Sequence, residues 1–148
     1  MNIFKSIINS IKTFGRNTGT EKRRDRFTAK QIQLDELGEE LNLVLEGKTD
    51  FSFIGITANE YDSLFFVRND QNFNVEFRAL KKIQLPYLEL LEKFTSKNNI
   101  KFETEKLDRI HYLSLKTNTS ITETVDLAKR IQKEVFGNND RTLYKVIP

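Results

Sequence analysis

The chain contains no cysteine and no tryptophan, and its 148 residues include only one histidine, one methionine, two prolines and six glycines. Each scarcity closes a route. Without cysteine there is no disulfide, no thiolate nucleophile, no zinc knuckle and no iron–sulfur cluster, whatever the redox compartment. His111 stands alone, so neither a histidine metal cluster nor a Cys–His pair can be assembled within one chain. It reads as a structural or surface residue inside a strand. No run approaches the roughly 18 consecutive apolar residues a spanning helix needs, and the N-terminus lacks the apolar stretch of a secretory signal. The expectation is a cytoplasmic protein.

Glycine-based phosphate sites are absent as well. Gly15 and Gly19 do not have the GxxxxGK[ST] spacing, and no GxGxxG follows a strand. Carboxylates are numerous, but Asp35, Glu36, Glu39 and Glu40 are expected on the polar, solvated side of a helix. Acid and base work needs convergence in a cleft, which spacing does not supply. The sequence therefore predicts no catalytic residue, no metal ligand, no cofactor and no small-molecule substrate.

What is present is an ordinary folding composition, 38% hydrophobic and 30% charged, with twelve phenylalanines to fill a core. A chain of this length buries roughly two-thirds of the surface it exposes unfolded, so one domain closes without staples. Charge is distributed unevenly. Residues 1–30 carry eight Lys/Arg against Glu21 and Asp25, a net of +6. The totals of 24 basic and 21 acidic residues then leave 16 and 19 in the rest, a net of −3. The basic excess belongs to the front of the chain.

Residues 1–26 read as a basic amphipathic arm and linker, and residues 27–148 as a single α+β domain. In the arm, Ile3, Phe4, Ile7, Ile8, Ile11 and Phe14 recur at helical spacing, and Gly15 can end the helix. Its stripe and charges fit four destinations. It can dock on the body as another core helix, or lie at a bilayer surface while Lys5, Lys12, Arg16, Lys22, Arg23, Arg24 and Arg26 attract anionic lipid, each adding about 1 kcal/mol. The same cations also suit nucleic acid. An organelle-targeting presequence has a similar composition, though Glu21 and Asp25 count against it.

In the body, Thr28 and Gln31 suggest a capping box for a helix bearing Ile32, Leu34, Leu37, Leu41, Val44 and Leu45, closed by Gly47. Strands are predicted around Phe51 to Ile56, Leu64 to Val67, and Phe73 to Phe77, joined as an antiparallel meander by turns at residues 59–62 and 69–72. In the third, Asn74, Glu76 and Arg78 alternate with the apolar residues and are expected on a wet face. Pro86 opens a second helix that Asn98 and Asn99 stop. A weak strand follows at Lys101 to Glu105, and a better one at Ile110 to Leu115. Ser120 with Glu123 caps the last helix, which Gly137 ends. The tail from Leu143 to Ile147 is either an edge strand or a segment lying along the body.

The resulting order is α-β-β-β-α-β-β-α, preceded by the amphipathic N-terminal helix. It predicts an antiparallel sheet of about five strands with helices on one face. That order resembles type III secretion chaperones and the related bacterial sensory-transduction regulators over about residues 28–136. The resemblance implies a noncatalytic binding role, and it brings no site residues with it.

Phe65, Phe66, Arg68, Phe73, Phe77, Arg78, Lys81 and Lys82 interleave aromatic and basic character, as a base-stacking sheet would. The glycine-containing signature of RNA-recognition sheets is missing from residues 64–68, so the phenylalanines are expected to pack inward. The expected function is a noncatalytic protein-binding or regulatory module, chaperone-like or adaptor-like. A sheet edge or a groove between helix and sheet would receive a protein segment or a second copy of the chain. The alternative places function in the arm, at an anionic membrane surface or on nucleic acid.

Overall fold

Apolar side chains at period two build a seven-stranded sheet in a computed structural model that describes residues 30–148. The amphipathic arm and the Thr28 cap lie outside the described residues. The elements run β1 (Gln31–Ile32), α1 (Leu37–Leu45), β2 (Phe53–Thr57), β3 (Leu64–Asn69), β4 (Asn72–Ala79), α2 (Leu85–Lys97), β5 (Phe102–Leu107), β6 (Ile110–Thr119), α3 (Ile121–Glu134) and β7 (Tyr144–Ile147). Spatially the strands follow the order β1-β7-β2-β3-β4-β6-β5, and every neighbouring pair is antiparallel.

The α+β class and the order of the inner elements agree with the sequence, but the sheet has seven strands, not five. Both additions come from the two ends of the described residues. Gln31 and Ile32 pair with Lys145 and Tyr144, so the expected first helix gives way to a strand and a short 3-10 turn before α1 begins at Leu37. The Gln33 amide donates to Glu36 Oε1 at 3.0 Å, while the Glu36 amide donates to the Gln33 carbonyl at 2.9 Å. The tail is an interior strand, lying between β1 and β2. Its alternation of Tyr144 and Val146 with Lys145 and Ile147 fits that place.

One face of the sheet carries the main core. Ile54, Ile56, Leu64, Phe66, Phe73, Val75, Phe77, Leu113 and Leu115 meet Leu37, Leu41 and Val44 of α1, Leu91 and Phe94 of α2, and Leu127, Ala128 and Ile131 of α3. All three helices thus spend their apolar stripes on the same side. α1 lies close against α3 at Gly38, where a Cβ would make ordinary contact with Ile121 Cγ2 at 3.4 Å. The last helix starts as its sequence demands: Ser120 Oγ accepts the Glu123 amide at 3.3 Å. It closes with Gly137 at φ +73°, a conformation that side chains with a Cβ adopt at a cost.

Polar bonding secures the turn between β2 and β3. The buried Asp62 carboxylate accepts the amides of Ala58 and Asn59, both at 2.9 Å, and the Asn138 side-chain amide at 2.8 Å. Gln132 Nε2 donates to the Asp62 carbonyl at 3.0 Å. The end of α3 is thereby fastened to the turn.

Candidate functional site

The second face of the sheet is not wet where the alternation in β4 placed solvent. Glu76 and Arg78 are each 1% exposed, flanked by Phe65 and Val67 of β3 and by Tyr112 and Ser114 of β6, all buried. The alternation within β4 does not foretell this, since it gives only which residues share a face. Arg78 places its guanidinium carbon over the Phe65 ring, 3.1 Å from its centroid. Phe53 meets Phe65 edge-on at 6.3 Å, and Phe51 stacks on Phe53 at 5.2 Å.

Burial penalises both charges. It pushes the Glu76 carboxyl up to about 7 against the opposing pull of Arg78 and Lys116, and it lowers Arg78 to about 9 while Glu76 resists. The three Arg78 side-chain nitrogens and Glu76 Oε1 have no hydrogen-bond partner among the described residues. Groups so enclosed present no open surface. Phe66, Phe73 and Phe77 are enclosed too, on the helix side, so the aromatic–basic interleaving is not an open stacking platform. Glu40 is likewise buried at 4%, a correction to its expected place on a solvated helix face: three residues after Leu37 and four before Val44, it shares their buried side of α1. Asp35, by contrast, is exposed and bonded to Lys129. His111 lies on β6 opposite Ala79 and Lys106.

The open surface is at the far edge of the sheet. β5 pairs with β6 on one side, and among the described residues no strand pairs on its other side. Glu103, Thr104, Glu105 and Lys106 are all exposed, and the helix layer does not cover them. The Lys116 amide donates to the Lys101 carbonyl at 2.8 Å. Hydrogen-bonding direction alternates along a strand, so the odd-numbered residues of β5 bond inward to β6. The amides and carbonyls of Phe102, Thr104 and Lys106 consequently point to the open edge.

Beside the start of β5 lies a groove of about 510 Å³, between the turn after α2, the end of β6 and the outer side of α3. Ile100 and Leu127 give it an apolar strip, and Lys101, Lys116, Asp126 and Arg130 surround that strip with charge. Arg130 is held in place by the Asn98 side chain and by the Phe94 ring, 5.2 Å below its guanidinium carbon. A shallow, charged groove continuous with an open edge suits a polypeptide better than a small apolar ligand.

Among the described residues no group of three or more His, Asp or Glu comes together to hold a metal, and no helix is long and apolar enough to cross a membrane. The arm cations Lys5, Lys12, Arg16, Lys22, Arg23, Arg24 and Arg26 lie outside the described residues. Sequence reasoning gave β5 the least weight of the strands and found neither its edge nor the groove. The signal was there: Glu103, Glu105 and Lys106 place charge on both faces of one short strand, the composition of an exposed edge. No family model, no curated protein and no solved structure matches the chain.

Proposed function

We propose that this chain is a noncatalytic protein-binding module that takes up an extended segment of a partner as an additional strand on β5. The carrying observation is the row of outward backbone groups at Phe102, Thr104 and Lys106 on an exposed strand six residues long. Main-chain bonds supply affinity in this mode, and the side chains beside the edge supply selection. The adjoining groove gives the segment somewhere to continue past Lys101. A resemblance in element order to type III secretion chaperones supports the same function.

Proline at position 104 provides the test. The Thr104 amide points away from β6, so Thr104→Pro costs no bond in the existing ladder while blocking a new one. Peptides selected from a random library on the full chain are expected to shift the amide resonances of β5, and Thr104→Pro is expected to abolish their binding with the fold unchanged. Selected peptides that map elsewhere and bind the proline variant equally would overturn the proposal.

A further inference from the structure

We infer that the segment received by β5 is an antiparallel strand with lysine or arginine opposite Glu103 and Glu105, an acidic residue opposite Lys106 and an apolar one opposite Phe102. This rests on the edge-binding function proposed above and names the chemistry of the partner.

The selection follows from where the hydrogen bonds fall. Phe102, Thr104 and Lys106 would form the hydrogen-bonded pairs with a new strand, leaving Glu103 and Glu105 in the alternate, closer pairs with Cα atoms about 4.5 Å apart. Side chains opposite these two glutamates therefore meet at short range and on one face. Lys116 approaches Glu103 only to 3.7 Å, and Glu105 has no ion pair or hydrogen bond among the described residues. Basic residues opposite both would complete the row. On the other face, partly buried Phe102 borders the main core and favours an apolar neighbour, while exposed Lys106 favours an acid. Read from its N-terminus, the segment runs acidic, basic, β-branched, basic, apolar.

The same geometry disfavours a second copy of β5 as the occupant. A continuous antiparallel dimer sheet has its two-fold axis normal to the sheet, passing through one residue position. Centred on Thr104, it sets Glu103 of one copy against Glu105 of the other. Centred on Glu103 or Glu105, it sets that glutamate against itself. Each register that keeps most of the strand paired thus opposes like charges, as protected edges do.

The test uses the full chain and three blocked peptides with the cores Glu-Lys-Val-Lys-Phe, Lys-Glu-Val-Glu-Phe and Gln-Thr-Val-Thr-Phe. Amide shifts and dissociation constants are read at low salt. The first peptide is expected to shift residues 102–107 and to bind about tenfold more tightly than the second, the combined effect of three charge pairs reversed. In the double variant Glu103→Lys with Glu105→Lys the preference should invert. Raising the salt concentration should narrow the gap. Equal binding of all three peptides on β5 would overturn the charge selection and leave edge binding standing. No β5 shift with any of them would overturn both. Concentration-dependent β5 shifts in the chain alone would show a second copy as the occupant and overturn the inference.

Discussion

Arg78 places its guanidinium carbon 3.1 Å from the centroid of the Phe65 ring, joining β4 to β3 across the face opposite the helices. A desolvated cation on an aromatic face is worth about 2 kcal/mol, more than an exposed one. A double-mutant cycle of Phe65→Leu and Arg78→Met, read by urea denaturation, is expected to give a coupling energy of about 1–2 kcal/mol. Additive losses would show that the two side chains are merely neighbours.

Gly55 sits beneath the same ring. A Cβ at that position would meet Phe65 Cε1 at 2.6 Å and Cδ1 at 2.8 Å, so the ring must leave its place over Arg78 or the strand must shift. Gly55→Ala should cost about 1–3 kcal/mol by overpacking. In a Phe65→Leu background the cost is expected to shrink, because the obstructing ring carbons are gone. An unchanged cost in both backgrounds would locate the strain elsewhere.

Glu76 makes the stability of the domain depend on pH. Burial raises its carboxyl from 4.5 to about 7, so the folded state binds the proton more tightly than the unfolded state does. The stabilisation is complete below about pH 4.5 and is lost as pH rises through about 7. At 1.36 kcal/mol per unit the group accounts for about 3 kcal/mol across that window. Comparing urea midpoints at pH 5 and pH 8, Glu76→Gln should remove most of the decline seen in the parent chain. Arg78→Met should steepen it, since the cation that favours the ionised carboxylate is lost. Parallel pH profiles for parent and Glu76→Gln would refute the assignment.

The sequence spoke clearly wherever a pattern is local. Ser120 and Glu123 mark the start of α3, Pro86 and Asn98 bracket α2, and the alternation through Phe73, Val75 and Phe77 identifies the helix-facing side of β4. It was silent where the decision is made by a strand far away in sequence. Glu76 and Arg78 look solvated in the alternation of β4 yet are buried, and Gln31 and Ile32 look helical until Lys145 and Tyr144 pair with them. The candidate site depended on the same kind of information. The charges at Glu103, Glu105 and Lys106 mark β5 as an edge strand, but which edge it forms follows from β6 lying between it and β4.

Asp62 offers a test of how far such long-range polar contacts carry the fold. Besides the amides of Ala58 and Asn59, its carboxylate accepts the Thr57 hydroxyl at 3.2 Å and Asn59 Nδ2 at 3.0 Å. Asn138 bridges it to Gln132, donating at 2.8 Å to both side chains. Removing the buried carboxylate leaves several partly buried donors without their acceptor, and each group orphaned away from water costs about 1–3 kcal/mol. Relaxation of the turn recovers some of this, so Asp62→Ala should destabilise by about 3 kcal/mol, while Asn138→Ala, which removes its bonds to Asp62, Gln132 and Asn59 but leaves Gln132 on the Asp62 carbonyl, should cost less. Because the latch lies in the turn between β2 and β3 and not on β5, peptide affinity at the edge should be unchanged while Asp62→Ala remains folded. A loss of less than about 1 kcal/mol would mean that the main core alone holds the turn and the end of α3 together.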